Sequence, residues 1–446
     1  MNTKKVGITG SVMQSIGAVG PMLNVVGLFA IISSFWRPMW EVVLFAFLVS
    51  FLTVYTPLKI SEKVTSNGGY YSYNGIAGRK FSGVFVSYIY LAYGFLVLPA
   101  ISLFMAGVFI TVMPGSSGFM FYYIPFIVML VSALEIFIIS RGMGLSIRYI
   151  EIFGVLEVAF LIGASVLMLI HGNTYAGNTG TVSFTSSGFW KGTLFGVLMF
   201  SGLGSSIFIS ENTKNSRILT GRSILIAYFA TGTAMVFASY AVQSFLGSGI
   251  SGYYNNPFIL LTLIKSSFGG VFMYIFIIFA LISSANLVVS YLNAFRNSIA
   301  RMARDRIFKS EKLAGGGLSA IYIIMFLING SLVLAFYFTL GSFAGFVILS
   351  GLVSLLFLSI HSISNITLAI RSFSSRDFFG RIIPPASTVF LAVIMIMSLL
   401  GSGIEASITD ALFALVITGS VSALIVMRLY RKDRYSGINF KENIMQ

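Results

Sequence analysis

The side chains of this chain that could do chemistry are few, and most of them lie inside apolar sequence. Glu157 falls in a long apolar run, as do the adjacent hydroxyls of Ser283 and Ser284 and the imidazole of His361. A carboxyl group in apolar surroundings favours its neutral form unless it is paired, so Glu157 could take up and release a proton. A static pairing of Glu157 with Arg148 is an equally good interpretation. For His361, a neutral hydrogen-bonded ring is favoured over a proton relay.

The residue types that most enzymes and metal sites need are scarce. The 446 residues include no cysteine and two histidines, and no acidic pair has the spacing of a metal site. Glycine-rich nucleotide loops are missing as well, which excludes transport driven by ATP hydrolysis within this chain. The sequence therefore predicts that the protein is not an enzyme and uses neither a cofactor nor a metal.

The composition predicts that the lipid bilayer is the solvent of this chain. Of all residues, 57% are hydrophobic and 9% are charged, whereas about 25% are charged in an ordinary soluble domain. The formal net charge of +15 does not indicate a nucleic acid partner, because the basic residues punctuate apolar runs instead of covering one surface.

Crossing the bilayer takes about 20 apolar residues, and runs of suitable length predict about twelve transmembrane helices. If both termini are cytoplasmic, nearly all basic residues fall in inner segments, and only Arg37, Lys191 and Lys265 remain outside. Residues 249–267 predict a helix at the outer surface. The runs lack the continuous polar lining of a channel. The apolar runs predicted as transmembrane helices cover residues 12–35, 42–58, 81–112, 121–139, 150–170, 189–209, 223–246, 268–295, 318–338, 343–370, 383–400 and 408–429.

Two of the predicted helices carry helix-breaking residues at mid-membrane. Residues 17–21 (GAVGP) interrupt the first helix, and residues 201–206 (SGLGSS) interrupt the sixth. Their corresponding positions in two five-helix halves are typical of an inverted-repeat transporter with its site at the midplane. Small residues also mark close helix packing, which is the alternative. Freed N–H groups at such breaks can bind a carboxylate, and freed carbonyl groups can bind an ammonium.

Main-chain groups at both breaks are therefore the predicted site of an amino acid substrate. Tyr93 of the third helix is predicted to line the same pocket, although packing between helices is the usual role of such a ring. These segments carry no acidic side chain at mid-membrane, so a second positive charge on the substrate would lack a partner, which favours neutral amino acids. The predicted substrate-binding residues at the breaks are Ala18, Val19, Gly20, Pro21, Met22, Phe200, Ser201, Gly202, Leu203 and Gly204.

The predicted fold class is an all-α integral membrane protein of the five-plus-five inverted-repeat type, with broken first and sixth helices. One multi-pass membrane domain covers residues 1–446. It divides into a first repeat (11–171), a second, inverted repeat (188–371), two last helices (382–430) and a cytoplasmic tail (431–446).

Three segments resemble signatures of the amino acid-polyamine-organocation (APC) superfamily. Residues 66–73 (SNGGYYSY) are similar to its glycine-glycine-tyrosine loop before the third helix. Residues 200–204 (FSGLG) and 211–215 (ENTKN) resemble its sixth helix and the acidic-x-x-Lys-Asn exit of that helix. Residues 302–305 (MARD) resemble a third signature, after the eighth helix. The resemblance identifies the chain as an amino acid permease of this superfamily.

The resemblance implies a secondary active transporter of the cell (plasma) membrane that takes up amino acids by alternating access. Aligned through Ser146 and Arg148, Glu157 matches a fifth-helix position where some members carry a lysine near the first break. This implies proton symport, with the protonated carboxyl bridging the fifth and first helices. Sodium-coupled relatives place ion ligands in the eighth helix, which makes Ser283 and Ser284 possible sodium ligands, although such hydroxyls more often bond to their own helix.

Some positions depart from the family pattern. Pro21 follows Gly20 where a second glycine is usual, so one backbone donor is lost. Leu203 stands where a bulky aromatic residue is common, and Gly204 stands where an acidic residue is common. A sodium-coupled symporter, an amino acid exchanger of the same fold and a non-transporting amino acid sensor remain as alternatives.

Overall fold

The computed structural model describes residues 5–112, 118–172, 184–253, 259–308, 313, 317, 319–373, 378–400, 403–438 and 440. Regular structure in this part of the chain is helical, apart from one isolated bridge between Val6 and Thr213. The first half contains α1 (Ile8–Val19), α2 (Pro21–Val26), α3 (Leu28–Phe35), α4 (Met39–Ser61), α5 (Tyr70–Ala77), α6 (Lys80–Val112), α7 (Ile124–Ser140), α8 (Met143–His171) and α9 (Ser187–Met199). The second contains α10 (Ser216–Leu246), α11 (Ile259–Phe268), α12 (Gly270–Arg304), α13 (Ser319–Thr339), α14 (Ser342–Phe373), α15 (Phe378–Leu399), α16 (Ile404–Tyr430) and α17 (Lys432–Gly437).

The long helices have the length and composition of membrane spans. Ten apolar spans of 18 residues or more occur among the described residues, if α9 is joined to the 3₁₀ segment Ser201–Asn212. The broken helix α1–α3 adds one more span. Helix α7, with 17 residues, lies at the lower limit of about 17 residues for a crossing. The prediction of a multi-pass, all-α membrane protein is confirmed.

Helix α11 does not cross the membrane by itself. It has 10 residues, and at about 1.5 Å per residue it spans only half of a hydrocarbon core about 30 Å thick. The predicted surface helix therefore corresponds to α11, whereas residues 255–257 of that prediction lie outside the described residues.

Burial shows which spans form the centre of the bundle. In α14, and in α9 with its 3₁₀ segment, 89% of the most apolar window is buried inside the protein, against 17% in α16. A span that is mostly exposed faces lipid, whereas a fully surrounded span can line an internal site. The tenth helix and the broken sixth helix are therefore central, and the last helix is peripheral.

The first span is interrupted twice. Gly20 has φ +63°, a left-handed conformation that ends α1, and Pro21 starts α2 as a favoured first helical residue. A bend of 60° at Gly27 separates Ile8–Val26, which comprises α1 and α2, from α3. A Cβ atom on Gly27 would lie 3.0 Å from the Phe104 ring, so close packing favours glycine there. The sequence predicted the first of these breaks but not the second.

The sixth span breaks after α9. The chain leaves α-helical geometry at Phe200 and continues as a 3₁₀ helix from Ser201 to Asn212. The predicted break at residues 201–206 therefore lies at the start of this 3₁₀ segment. A long 3₁₀ run is uncommon because its hydrogen bonds have poorer geometry, and such runs often mark a hinge.

The two breaks pack directly against each other. A Cβ atom on Gly202 would lie 2.2 Å from the carbonyl carbon of Ala18, so the two backbones are in contact. Asn24 donates from Nδ2 to the carbonyl of Val19 at 2.9 Å, and the same atom is 3.5 Å from the carbonyl of Met199. One side chain thus joins the last carbonyl of α1 to the last carbonyl of α9, and satisfies groups that the breaks leave open.

The first and the last residues that the structure describes lie at one end of the bundle, which we call the termini end; the opposite end is the far end. Val6 donates to the carbonyl of Asn212 at 2.8 Å, and Phe440 contacts the site of Gly75. Asn67 and Glu211 form a reciprocal pair of hydrogen bonds at this end. The backbone N–H of each residue donates to the side chain of the other, at 2.9 Å in both cases. The glycine-glycine-tyrosine loop is therefore tied to the exit of the sixth helix.

Candidate substrate and ion site at the broken helices

Glu157 of α8 lies against the break in the first helix. Its Oε1 accepts from the Met22 N–H at 3.1 Å and from the Ser283 hydroxyl at 2.5 Å. Its Oε2 accepts from Asn286 Nδ2 at 2.8 Å. Glu157 is fully buried, so it joins three helices, α2, α8 and α12, without contact with solvent.

The hydrogen-bond pattern suits an ionised carboxylate. The N–H of Leu23 donates to Ser283 Oγ at 3.0 Å, which leaves the hydroxyl proton of Ser283 free to point at Glu157. All three partners of Glu157 can therefore donate, and a carboxylate only accepts. The start of α2 adds the positive end of a helix dipole. Protonation would remove one accepting position and break this pattern.

At the first break, the N–H group of Met22, which the sequence predicted for substrate binding, is occupied in this conformation. Pro21 has no N–H, the N–H of Met22 is bonded to Glu157, and the N–H of Leu23 is bonded to Ser283. The side chain of Glu157 thus stands where the carboxylate of an amino acid was expected to bind. A substrate carboxylate could reach these donors only after Glu157 has moved away.

A central cavity of about 40 Å³ lies between the broken helices and α6, α12 and α14. Its walls are mainly apolar, and no Asp, Glu, Lys or Arg lines it. Val19 and Ser201 are the predicted residues that line it. Four polar side chains face the cavity: those of Asn24, Ser201, Tyr291 and Ser350. The volume holds about one or two water molecules, so an amino acid needs the site to expand.

A second, smaller cavity of about 20 Å³ lies next to the first, toward the termini end. Tyr93 and Gly202 line it, and Ser201 and Tyr291 line both cavities. Tyr291 is hydrogen-bonded to Tyr93 and, at 2.9 Å, to Ser201. These three hydroxyls form a partition between the two cavities. Tyr93, which was predicted to line the substrate pocket, thus lies beside the breaks.

Other predicted residues lie at the breaks but line neither the central cavity nor the second, smaller one. This group consists of Ala18, Gly20, Pro21, Met22, Phe200, Leu203 and Gly204. Gly20 and Pro21 set the conformation of the break. Ala18 packs against Gly202, and Gly204 packs against the hydroxyl of Tyr70.

The two candidate sodium ligands have different partners. Ser283 contacts Glu157, whereas the hydroxyl of Ser284 donates to the carbonyl of Ala280 in its own helix at 2.9 Å. His361 packs against the rings of Tyr70 and Phe357, with centroid distances of 4.9 and 4.2 Å. Of these polar residues, Ser283 is the one that joins the Glu157 site.

Sequence reasoning missed Asn24, Asn286, Tyr291 and Ser350. Asn286 follows Ser283 by three residues and so shares its helix face, which is a signal that the sequence contains. Asn24, a polar residue in an otherwise apolar run just after Gly20, was a second available signal. Nothing local distinguishes Ser350 from the other serines of the tenth helix.

Comparisons with known proteins agree with this architecture. No protein-family model matches the chain, and a comparison with curated proteins also finds no match. Among solved structures, the crystal structure of MhsT in complex with L-phenylalanine is similar, with a TM-score of 0.59. The alignment covers 87% of this chain and 98% of MhsT. The chain has a LeuT-like transporter fold. Sequence identity to MhsT is 16%, so the likeness concerns the fold alone.

Proposed function

We propose that this chain is a secondary active transporter of neutral amino acids, of the amino acid-polyamine-organocation type, and that protons drive its uptake. The observation that carries the proposal is the buried carboxyl of Glu157, bonded to the first-helix break beside an apolar cavity in a transporter fold. A membrane-embedded carboxyl that contacts a substrate site is a typical proton-coupling group. The amino acid that occupies MhsT, L-phenylalanine, is neutral and apolar.

The proposed coupling is an exchange of carboxylates at the start of α2. While Glu157 is ionised, it occupies the N–H group of Met22 and holds α8 against α2 and α12. A proton taken up from the outside neutralises Glu157, weakens these bonds and releases the N–H groups. The carboxylate of the substrate then takes the place of Glu157, and the ammonium binds carbonyl oxygens that the breaks leave free. Proton release to the inside returns Glu157 to α2 and expels the substrate.

This scheme assigns the states of Glu157 differently from the sequence-based expectation, in which the protonated carboxyl bridges the two helices. The reason is the number of donors: Met22, Ser283 and Asn286 all point hydrogens at Glu157. Three donors stabilise a charged acceptor, whereas a protonated carboxyl would have to place its own hydrogen among them. The bridge between α8 and α2 therefore belongs to the ionised form.

Sodium symport is the second candidate, because two oxygen atoms meet beside the break. Glu157 Oε1 and the Ser283 hydroxyl are 2.5 Å apart, and carboxylate and hydroxyl oxygens are suitable ligands for a hard cation. In that case a sodium ion between Glu157, Ser283 and a freed carbonyl would replace the proton.

Uptake into proteoliposomes tests the proposal. We expect wild-type protein to accumulate radiolabelled L-phenylalanine or L-leucine when the outside is acidic, without sodium. Glu157→Gln should lose at least about tenfold of the pH-driven uptake, equivalent to about 1.4 kcal/mol, because it cannot carry a proton. Glu135→Gln is the matched control: Glu135 of α7 is also buried in the membrane, but among the described residues no hydrogen bond joins it to either break.

The outcomes separate the alternatives. Uptake that ignores the pH gradient and rises with a sodium gradient would refute proton coupling and favour the sodium site. Exchange of internal for external amino acid without any gradient would make the chain an exchanger. Binding without accumulation would make it a sensor.

A further inference from the structure

Helix α6 begins and helix α16 ends at the termini end of the bundle, and the two helices meet there. The hydroxyl of Tyr88 in α6 donates to the Sδ atom of Met427 in α16 at 3.3 Å. Beside this contact, Phe81 of α6 and Leu429 and Tyr430 of α16 are exposed. A tyrosine at the end of a membrane span typically lies at the level of the lipid headgroups. This junction is therefore where the apolar core of the bilayer meets its polar surface.

The chain after α16 folds back across α5 and α6. Phe440 is buried, and its ring lies 2.1 Å from the position of a Cβ atom on Gly75 of α5 and 2.8 Å from one on Gly83 of α6. These two glycines thus leave room for the ring. Lys80 Nζ donates to the carbonyl of Ser436 at 2.5 Å. The basic residues that precede Ser436 are thereby held beside the first turn of α6.

Six basic side chains surround the junction, and we call them the tail cluster. Four of them are exposed and two are half-buried. In the described parts of α5, of the first turn of α6 and of residues 428–438, the one acidic residue is Asp433. The ion pairs of the described residues involve other side chains. So much like charge in one place attracts an anion. The tail cluster consists of Arg79, Lys80, Arg428, Arg431, Lys432 and Arg434.

We propose that the tail cluster binds the headgroup of an anionic phospholipid, whose acyl chains lie along Phe81 and Leu429. A soluble anion would meet the same charges but would gain nothing from the exposed apolar residues of the two spans. A zwitterionic phospholipid would bring a cation of its own to the cluster. An acidic protein or a nucleic acid would have to displace the lipid that covers Phe81 and Leu429. An anionic phospholipid matches both the charge and the apolar surface.

The tail cluster has the height in the membrane that such a headgroup needs. Lys80 lies in the first turn of α6, and Arg428 lies in the last turn of α16. Long basic side chains at the ends of spans extend toward the headgroups while their methylene groups cover apolar surface. If the termini are cytoplasmic, the site faces the leaflet that carries anionic lipid. The lipid site does not depend on which substrate the protein transports.

Quenching of tryptophan fluorescence by brominated lipids tests the proposal. The variant Leu429→Trp places a reporter at the junction, and the signal of the wild-type protein, with its three tryptophans, is subtracted. In lipid nanodiscs, dibrominated phosphatidylglycerol and dibrominated phosphatidylcholine are compared. We expect a relative association constant at least about fivefold higher for phosphatidylglycerol, because each basic residue near the surface attracts anionic lipid. Raising NaCl from about 0.15 M to about 1 M should weaken this preference, since the Debye length falls from about 8 Å to about 3 Å.

Removal of charge identifies the residues responsible. In the reporter protein, the combined substitutions Arg431→Gln, Lys432→Gln and Arg434→Gln should reduce the preference for phosphatidylglycerol to less than about twofold. Native mass spectrometry supplies a measurement without the reporter. Protein released from mixed micelles of the two lipids should retain phosphatidylglycerol, and the triple variant should not.

The matched control removes the same charge elsewhere at the termini end. It combines Lys63→Gln, Lys214→Gln and Arg222→Gln, three exposed residues that follow α4, follow the 3₁₀ segment and lie in α10. This control should keep the full preference. Equal quenching by the two lipids in the reporter protein would overturn the lipid site. A preference that the triple variant of the tail cluster keeps, or that the control loses equally, would overturn it as well and leave the proposed function intact.

Discussion

At the scale of single residues, position decides what the buried polar groups do. Glu157 and Glu135 are both buried carboxyl groups in membrane helices. Glu157 meets the start of α2 and three donors, whereas among the described residues no hydrogen bond reaches either oxygen of Glu135. The same side chain is thus a candidate coupling group in α8 and a poorly satisfied one in α7. The difference comes from the neighbouring helix, not from the residue type.

Gly202 offers a sharp test at this scale. In Gly202→Ala the new methyl group would lie 2.2 Å from the Ala18 carbonyl carbon, and because the neighbour is backbone, the two breaks must move apart. We expect at least about tenfold weaker amino acid binding, or about 1.4 kcal/mol. Gly163→Ala is the control, since a methyl group there meets no atom within 4 Å. A monodisperse Gly202→Ala protein with wild-type affinity would show that the contact of the two breaks is not needed for binding.

At the scale of elements, the broken helices and α14 together determine what the central cavity can bind. The lining as a whole is mainly apolar, and the polar groups that reach the cavity are neutral amide and hydroxyl groups. An amino acid with an apolar side chain would bury that side chain favourably, at about 25 cal/mol per Å². A charged side chain would lose its hydration without gaining a partner.

Competition binding tests this selectivity. Unlabelled leucine, alanine and phenylalanine should displace labelled L-phenylalanine at concentrations at least about tenfold lower than arginine or putrescine. The variant Ser350→Asp adds a carboxylate to the wall of the cavity and should narrow this difference, because it supplies the missing partner. The neutral selectivity would be wrong if arginine or putrescine displaced the label best from the wild-type protein.

At the scale of the whole molecule, the two ends of the bundle differ in what closes them. At the termini end, the reciprocal bonds of Asn67 and Glu211 join the loop before α5 to the exit of the sixth helix. Arg301 and Asp305 form an ion pair at 3.2 Å nearby; burial raises the pKa of Asp305, and the charge of Arg301 opposes that shift. The far end instead contains a cavity of about 490 Å³ between α3, α9 and α14 on one side and α15 and α16 on the other. This conformation is thus more tightly packed at the termini end.

The orientation of the molecule in the membrane is testable because the chain has no cysteine. Ser266 at the end of α11 and Ser436 in α17 are both exposed, and each can become a single reporter. If the termini are cytoplasmic, a membrane-impermeant thiol reagent added to intact cells should label Ser266→Cys and should label Ser436→Cys only after lysis. The reverse pattern would place the termini outside and would contradict the orientation predicted from the basic residues.

The sequence by itself was enough to predict that the chain lies in a lipid bilayer, where its membrane spans run, and where two of the spans are broken. These are local properties: a run of about 20 apolar residues can hide its backbone only as a helix in lipid, and Gly20 before Pro21 ends a helix wherever it occurs. The helix-breaking residues at 201–206 could be recognised in the sequence because their effect is also local. The second bend was not predicted; it lies at Gly27, which packs closely against the Phe104 ring, and this tertiary contact cannot be seen in the local sequence.

Only the tertiary structure decided which polar groups meet. Glu157, Met22 and Ser283 are far apart along the chain, and their hydrogen bonds exist because α8, α2 and α12 cross at one point. At that crossing, Glu157 accepts a hydrogen bond from the Met22 N–H, a group that was predicted to bind the substrate. It also brought Lys191 of α9 and Asp410 of α16 to one cavity. Hydropathy and helix propensity act within a helix, whereas these juxtapositions depend on packing between helices, and that is why the sequence alone could not supply them.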